Sequence, residues 1–272
     1  MNFYSMLKFL FNKVLDKNRI LLDQPIADHC FIIGTGASIK NIDFSKINSP
    51  SILINWAYLH KHANLLDIDA IVMPEPFISS PFLKKHYSKK WIKNLKRKFL
   101  QNTLKDLPEN INFITSITNY PFLKKRKNNY FVFHFGRRNC SLDALNITSD
   151  FSFMRGGLYM AIGYALNRGY KKVTLLGCDY LIKAASEPIM GGHFYINIPV
   201  YVMKFSNTYE DLLNEIDDKI DISSYTTYKT AKCFCATSPF EKYQYLLNKK
   251  STPPFAKEDY VNELAGIHHY HN

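Results

Sequence analysis

The sequence lacks a long hydrophobic run, an excess of acidic residues and an internal repeat. Because no stretch of about 18 uninterrupted apolar residues occurs, we predict no membrane-spanning helix. Lys and Arg number 35 against 23 Asp and Glu, which gives a net charge of +12. This excess excludes an acidic, calcium-buffering protein and favours an anionic partner: a nucleic acid, a phosphorylated small molecule or an anionic membrane surface.

Cysteine is also scarce, and its arrangement is not that of a disulfide framework or a metal site. The chain has five cysteines, and the odd number argues for reduced thiols. Cys30, Cys178 and Cys233 lie in apolar, strand-like runs. Cys233 and Cys235 form one C-x-C pair, which lacks the four-ligand spacing of a structural zinc site. We therefore expect core thiols and a cytoplasmic protein.

Residues 1–25 form an amphipathic N-terminal segment. Its apolar residues recur at helical spacing, and Lys8 and Lys13 fall on the other side. No small-residue cleavage site follows, which is unlike a secretory signal. We predict a helix that either packs on the domain formed by residues 26–272 or lies in the plane of a membrane with anionic lipids.

Short apolar runs alternate with helical patterns in the rest of the chain. Runs rich in Ile, Val or Leu that end at Gly, Pro, Asn or Asp are typical of buried strands. Four such runs lie at 29–34, 51–55, 69–75 and 171–179. Weaker runs lie at 111–116, 130–135 and 231–237, and a helical pattern covers 157–168. The alternation predicts an α/β fold with a doubly wound, mostly parallel sheet.

Two stretches depart from this pattern. Residues 83–98 carry eight Lys and Arg residues interleaved with Tyr87 and Trp91. Such a segment is typical of a solvated helix face, of a surface for an anionic membrane or lipid-linked acceptor, or of a nucleic-acid contact. Residues 181–208 have no regular period. Because so long a loop in a compact α/β domain is usually functional or mobile, we predict a lid there, over the carboxyl ends of the strands.

A glycine-rich turn, Gly34-Thr35-Gly36-Ala37-Ser38, follows the first predicted strand. Glycines at such a turn let the backbone approach a phosphate or a sugar. The dinucleotide fingerprint requires a third glycine, where Ile39 stands, and an acidic residue near the end of the second strand, which here ends in Asn55. These differences count against NAD and S-adenosylmethionine. They leave a mononucleotide site or a tight turn with a purely structural role.

Four segments together resemble the bacterial sialyltransferases of glycosyltransferase family 42. They are residues 32–47 (IIGTGASIKNIDFSKI), 52–56 (ILINW), 151–181 (FSFMRGGLYMAIGYALNRGYKKVTLLGCDYL) and 232–240 (KCFCATSPF). These enzymes transfer sialic acid from CMP-sialic acid to outer lipooligosaccharide sugars, and related flagellin-modifying proteins handle other nonulosonic acids. The resemblance implies a Rossmann-like GT-A-variant fold with a small lid region.

The resemblance also implies a set of residues that bind the nucleotide of the donor. Those that match the nucleotide-facing turn are Gly34, Thr35, Gly36 and Ser38. The family usually has Asn where Thr35 stands. Asn55 matches an Asn near the donor phosphate and sugar, and Asp179 matches an Asp that holds the cytidine portion.

The start of the predicted helix matches the family's site for the donor carboxylate. Gly156 and Gly157 begin this helix, and Gly156 stands where the family often has a Ser or Thr hydroxyl. Arg155 precedes them, and an Arg can form a bidentate pair with a carboxylate. The presence of Gly156 in place of a hydroxyl residue leaves open a different 2-keto acid donor, such as CMP-Kdo.

Transfer from a CMP-sugar requires a general base for the acceptor hydroxyl and hydrogen-bond donors for the leaving phosphate. His193, within the predicted lid, matches the family's base, and His134 is the reserve candidate. The family supplies tyrosines that hydrogen-bond the leaving phosphate. Tyr180, Tyr195 and Tyr201 are the candidates for that role here.

The resemblance thus implies an inverting glycosyltransferase with a CMP-activated donor. Its acceptor would be a bacterial surface glycan or glycolipid: lipooligosaccharide, lipopolysaccharide or capsule. No metal cofactor is expected, because CMP carries one phosphate and departs without the divalent ion that nucleoside-diphosphate donors often require. Asp67-Ile68-Asp69 resembles a D-x-D metal motif, but it precedes a predicted strand. We interpret it as an ordinary turn.

We expect a homo-oligomer with no nucleic-acid partner, located in the cytoplasm or peripherally on the inner face of the cytoplasmic membrane. Two alternatives belong to other classes of protein. One is a basic nucleic-acid-binding protein, for which residues 83–98 would supply the contacts. The other is a catalytically inactive accessory protein with the same fold.

Overall fold

The computed structural model describes residues 27–74, 107–123, 127–132, 156–179 and 218–225, with residues 12, 14, 16–19, 145, 216 and 236–237. The chain divides into two compact units. Unit 1 comprises Met1–Ile26 and Ala70–Gly169, and unit 2 comprises Ala27–Asp69 and Tyr170–Asn272. The predicted domain bounds, with a boundary at residue 25, stay a prediction.

Eight strands and two α-helices are described. The strands are β1 His29–Ile33, β2 Ser51–Ile54, β3 Ile68–Met73, β4 Asn112–Ser116, β5 Asn129–Val132, β6 Lys172–Leu176, β7 Asp221–Tyr225 and β8 Ala236–Thr237. The α-helices are α1 Tyr120–Leu123 and α2 Gly156–Asn167. Short 3₁₀ helices lie at Ala37–Asn41, Phe44–Lys46, Asn55–Leu59, Ala63–Leu65 and Ile117–Asn119.

The strands follow the order β5-β4-β3-β2-β1-β6-β7-β8. The pairs β1–β2, β1–β6, β6–β7 and β7–β8 of unit 2 are parallel, as are β3–β4 and β4–β5. From β1 the strands β2 and β3 are added on one side of the sheet, whereas β6 and β7 are added on the other side of β1. The direction in which strands are added therefore reverses between β1 and β6. The prediction of a Rossmann-like, doubly wound parallel sheet is confirmed, and this reversal is where such sheets bind ligands.

The strong apolar runs of the sequence form strands at the expected places, as β1, β2, β3 and β6, and the run at 111–116 forms β4. The weaker runs are only partly described, as β5 and β8. Residues 133–135 and 231–235 lie outside the described residues. The sequence analysis missed β7, since its sequence DISSY has one branched aliphatic residue and two serines.

The core of unit 2 consists of strand residues with apolar side chains on both faces of the sheet. Phe31, Ile32 and Ile33 of β1 are at most 1% exposed, as expected for a parallel strand covered on both sides. Cys30 and Cys178 are buried free thiols, which confirms the prediction for these two cysteines. Burial, with a smaller effect from Asp69, raises the pKa of Cys30, so its thiol stays protonated.

In unit 1, α2 is buried along most of its length, with Leu158, Tyr159 and Met160 at most 1% exposed. The helix ends as predicted, because Gly169 takes a φ of 85° that other residues rarely adopt. None of the helices in the described part of the chain combines the length and the apolarity that crossing a bilayer requires.

Residues 12, 14 and 16–19 of the N-terminal segment are helical, and Val14, Lys17 and Asn18 contact β5 within unit 1. Val14 packs against Ile117 and Phe131. The Asn18 side chain donates a hydrogen bond to the Phe131 carbonyl at 3.0 Å. Of the two alternatives for this segment, these contacts favour a helix packed on the protein, and membrane contact stays a prediction.

Candidate functional site at the ends of β1, β2 and β6

Three neighbouring strands of unit 2 end together and carry the motifs that the sequence analysis selected. Ile33 of β1 pairs with Leu53 of β2 and with Leu176 of β6. The residues that follow these three positions therefore emerge at one edge of the sheet. They are the Gly34–Ser38 turn, Asn55 and the loop Gly177-Cys178-Asp179. The structure thus brings together motifs that are far apart in the sequence.

The turn after β1 pairs with the loop after β6 through backbone hydrogen bonds. The Gly34 N–H donates to the Leu176 carbonyl and the Gly36 N–H to the Gly177 carbonyl, both at 2.7 Å. A Cβ atom on Gly34 would lie 2.5 Å from the Gly177 carbonyl oxygen. Gly177 itself has a φ of 64°. Glycine is required here because the two loops approach each other closely.

Asp179 fills the space that the missing side chain of Gly36 leaves. A Cβ atom on Gly36 would lie 2.5 Å from the Asp179 carboxylate carbon and from its Oδ2. Oδ2 accepts a hydrogen bond from the Ser38 N–H at 2.9 Å, and Oδ1 accepts one from the Ser38 hydroxyl at 2.5 Å. Asp179 and the turn therefore form one hydrogen-bonded unit.

Burial raises the pKa of Asp179, while the hydrogen bonds from Ser38 and from the Ala37 backbone N–H act in the opposite direction. The Ala37 and Ser38 N–H groups belong to the first residues of the 3₁₀ helix Ala37–Asn41, and the residue before it, Gly36, supplies no capping side chain. Asp179 takes over that capping role from the loop after β6.

Asn55, directly after β2, has two features that a purely structural residue seldom combines. Its φ of 51° lies in the left-handed region, which costs free energy for any residue other than glycine. Its amide oxygen Oδ1 is buried and has no hydrogen-bond partner among the described residues. An unsatisfied buried acceptor of this kind can accept a hydrogen bond from a hydroxyl or amino group of a ligand.

The remaining described residues of the predicted site are Thr35, Gly156 and Gly157. Thr35 is 9% exposed. Gly156 has a φ of 74° at the start of α2, in unit 1. A Ser or Thr would be strained at this φ, so the backbone conformation favours glycine at position 156.

Several predicted residues fall outside the described residues, and their roles stay predictions. The donor-binding candidates among them are Arg155, Tyr180 and Tyr195, with Tyr201 as a further tyrosine. The base candidates His193 and His134 also fall there, as do the predicted lid at 181–208 and the basic segment at 83–98.

Two of the described histidines, His29 and His60, make contacts with other side chains of the protein. The ring nitrogens of His29 lie 3.3 Å from the Ser49 hydroxyl and 3.0 Å from the Thr174 hydroxyl. His60 is 1% exposed and stacks on Phe44 with ring centroids 4.2 Å apart. Burial, with smaller effects from His62 and Lys61, lowers the pKa of His60 to about 3. An imidazole with so low a pKa is a weak base.

The two aspartates of the D-x-D pattern lie at the start of β3, Asp69 within the strand and Asp67 just before it. Asp69 lies within β3 rather than before it, and its carboxylate accepts a hydrogen bond from the Tyr170 hydroxyl at 3.0 Å. The Asp67 carbonyl accepts one from the Ser51 N–H at 2.8 Å. In the part of the chain that the structure describes, no three His, Cys, Asp or Glu side chains are grouped so that they could hold a metal ion.

The structure adds one residue that the sequence analysis missed. Tyr225 ends β7, pairs in register with Leu176 of β6 and is 3% exposed. Burial raises the pKa of its hydroxyl. Since β7 was not predicted as a strand, nothing in the sequence pattern placed Tyr225 at this edge.

No protein-family model and no curated protein matches the chain. The chain is similar to the sialyltransferase CstII of Campylobacter jejuni, solved with cytidine-5'-monophosphate, at 15% identity and a TM-score of 0.46, over 89% of this chain and 99% of that chain. It is similar to a Maf glycosyltransferase of Magnetospirillum magneticum AMB-1 at 12% identity and a TM-score of 0.49, over 95% of this chain and 42% of that chain.

A third similar structure is the monofunctional alpha-2,3-sialyltransferase Cst-I of Campylobacter jejuni. Its identity is 14% and its TM-score 0.41, over 92% of this chain and 98% of that chain. Because one fold serves many unrelated activities, likenesses of this size assign no function to the chain. The function has to be argued from the site.

Proposed function

We propose that the protein is an inverting glycosyltransferase that uses a CMP-activated nonulosonic or ulosonic acid as its donor. The observation that carries the proposal is the convergence of the Gly34–Ser38 turn, Asn55 and Asp179 at the reversal of strand order in unit 2. These are the residues that match the nucleotide-binding motifs of glycosyltransferase family 42. Doubly wound sheets bind their ligands at this position.

The hydrogen-bonding groups of the site favour the nucleoside part of such a donor. The buried Oδ1 of Asn55, which has no partner among the described residues, can accept a hydrogen bond from a ligand hydroxyl or amino group. The Asp179 carboxylate accepts from Ser38, and each carboxylate oxygen has two lone pairs, so it can also accept from a ligand. Ribose hydroxyls and the cytosine amino group are donors of the required kind.

In the proposed reaction the acceptor hydroxyl attacks the anomeric carbon of the donor from the face opposite CMP. The new carbon–oxygen bond forms as the bond to the phosphate oxygen breaks, and CMP leaves with that electron pair. His193 takes the proton of the acceptor hydroxyl. Arg155 and the start of α2 hold the donor carboxylate, and Tyr180 and Tyr195 donate hydrogen bonds to the leaving phosphate.

The acceptor in this proposal is a glycan or glycolipid of a bacterial surface, and the enzyme works in the cytoplasm or on the inner face of the cytoplasmic membrane as a homo-oligomer. The reaction requires no metal, because CMP leaves with a single phosphate. We expect turnover to be unchanged in excess EDTA. Loss of turnover that Mg²⁺ or Mn²⁺ restores would contradict this part of the proposal.

A ligand-stability screen tests the donor assignment. At about 100 times its Kd, a ligand that binds only the folded protein stabilises it by about 2.7 kcal/mol, a rise in Tm of about 5–10 °C for a chain of this size. We expect such a rise with CMP and with CMP-sialic acid or CMP-Kdo, but not with UDP, GDP or NAD. Equal shifts with all the nucleotides would overturn the assignment. CMP binding without release of CMP from either donor would favour the inactive accessory protein.

A further inference from the structure

The hydrogen bonds between Ser38 and Asp179 connect two loops that are 141 positions apart in the sequence. Ser38 is 2% exposed, and it donates to the carboxylate twice, through its N–H at 2.9 Å and its hydroxyl at 2.5 Å. Hydrogen bonds to a charged acceptor are the strong ones in proteins. The pair therefore joins the turn after β1 to the loop after β6.

The same carboxylate also determines what the turn offers to a ligand. It accepts from the backbone N–H groups of Ala37 and Ser38, and it occupies the space beside Gly36 where a side chain would stand. A ligand phosphate that bound these N–H groups would have to displace the Asp179 carboxylate, which is also an anion. The protein's own carboxylate therefore already occupies the place at the turn where a phosphate would bind.

We propose that Ser38 is a positioning residue: it holds the Asp179 carboxylate in one orientation, so that the turn and the β6 loop form a single wall against which the donor binds. This rests on the proposed function for the identity of the ligand, CMP. Without the Ser38 hydroxyl, Oδ1 of Asp179 loses its side-chain donor in a half-buried place. The carboxylate then turns toward water and no longer keeps its place against the turn after β1.

The chain offers a matched control for this proposal in the same unit. Ser45 also donates to an aspartate, with its hydroxyl 2.7 Å and its N–H 3.2 Å from Oδ1 of Asp43. That pair is exposed and local, because the two residues are two positions apart. Ser45→Ala therefore removes the same chemistry without removing a side-chain link between two loops.

The first test needs no ligand. Hydrogen exchange measured by mass spectrometry would compare Ser38→Ala, Ser38→Thr and Ser45→Ala with the unchanged protein. For Ser38→Ala we expect exchange about tenfold faster in peptides covering residues 34–41 and 172–179, with α2 unaffected. Ser38→Thr, which keeps the hydroxyl, and Ser45→Ala should exchange in these peptides as the unchanged protein does. Unchanged exchange in Ser38→Ala, in a folded protein, would overturn the proposal.

The second test measures CMP affinity by calorimetry in the same variants and in a double-mutant cycle with Asp179→Asn. We expect Ser38→Ala to weaken CMP binding about tenfold, the size of one hydrogen bond to a charged group. Ser38→Thr should restore the affinity, and Ser38→Ala should add little once Asp179→Asn is present. Independent, additive losses would show that Ser38 does not act through Asp179.

The two tests separate failure of this inference from failure of the proposed function. If the unchanged protein does not bind CMP, the proposed function is wrong, and the exchange experiment alone decides whether Ser38 holds the two loops together. If CMP binds with equal affinity to the unchanged protein and to a folded Ser38→Ala variant, the donor assignment stands and the positioning role of Ser38 is wrong.

Discussion

Asn55 destabilises the folded chain in two ways. A left-handed φ costs about 1 kcal/mol or more for a residue other than glycine, although Asn tolerates it better than most. The amide oxygen of Asn55 is buried and has no partner among the described residues, and a buried oxygen that stays unpaired costs about 1–3 kcal/mol. Since both costs fall on one residue at a strand end, at the reversal of strand order, a ligand contact gives the simplest physical reason for them.

Replacing Asn55 should therefore raise stability and lower ligand affinity together. In Asn55→Gly, glycine adopts the same φ without strain and the unsatisfied oxygen is absent, so we expect the free energy of unfolding to rise by about 1 kcal/mol. Asn55→Ala keeps the strain and is the matched comparison, less stable than Asn55→Gly. Urea denaturation measures both.

The same variants should bind CMP at least tenfold more weakly than the unchanged protein, as calorimetry would show, because both lack the amide oxygen. An Asn55→Gly protein that binds CMP with undiminished affinity would mean that Asn55 serves the backbone rather than the ligand.

At this scale the sequence drew attention to Gly34 and Gly36, but it did not predict the contacts that require glycine at these positions. Gly34 and Gly36 were selected because glycine lets a phosphate or sugar approach the backbone. In the structure the approaching groups are the Gly177 carbonyl and the Asp179 carboxylate. This pairing joins residues far apart in the chain, and no local pattern in one sequence contains it. Whether the glycines also meet a ligand stays a prediction.

Among the larger elements, the N-terminal helical residues and β5 depend on each other. The carbonyls of Asn129 and Phe131 accept hydrogen bonds from the side chains of Lys17, at 3.1 Å, and Asn18, at 3.0 Å. β5 stands at one end of the described strand order. A strand at the end of a sheet leaves carbonyls that need partners, and these two side chains supply them.

Asn18→Ala should show how much this contact contributes. Asn18 is fully buried, and its removal leaves the Phe131 carbonyl without that donor, so we expect the free energy of unfolding to fall by about 1–2 kcal/mol. Asp16→Ala is the control: Asp16 is exposed and pairs only with the exposed Arg19 at 3.1 Å among the described contacts. Its effect should stay within about 0.5 kcal/mol. Equal effects of the two changes in chemical denaturation would show that the Asn18 hydrogen bond to β5 does not stabilise the fold.

The elements that the sequence predicted well are those with a strong local signal. β1, β2, β3 and β6 are rich in Ile, Leu and Val, which in a parallel sheet reflects burial on both faces. β7 has the sequence DISSY, and Ser223 and Ser224 are buried in spite of their polarity. β7 is a strand because it pairs with β6. Backbone pairing of this kind produces no apolar pattern in the sequence of β7 from which the strand could be predicted.

For the whole molecule, the reversal of strand order between β1 and β6 connects the fold with the proposed donor site. The sequence predicted a doubly wound sheet from the alternation of elements, but it could not order the strands, because order depends on contacts between distant segments. With the order known, three motifs that are each weak alone lie at the ends of neighbouring strands. The position of the two glycines that begin α2 relative to these motifs stays part of the proposal.

The location of bound CMP tests the central claim most directly. A crystal structure of the protein soaked with CMP should place the nucleoside within hydrogen-bond distance of the Asp179 carboxylate and the Asn55 amide oxygen, with the Ser38–Asp179 hydrogen bonds intact. CMP bound elsewhere on the molecule, with these groups facing only water, would contradict the account.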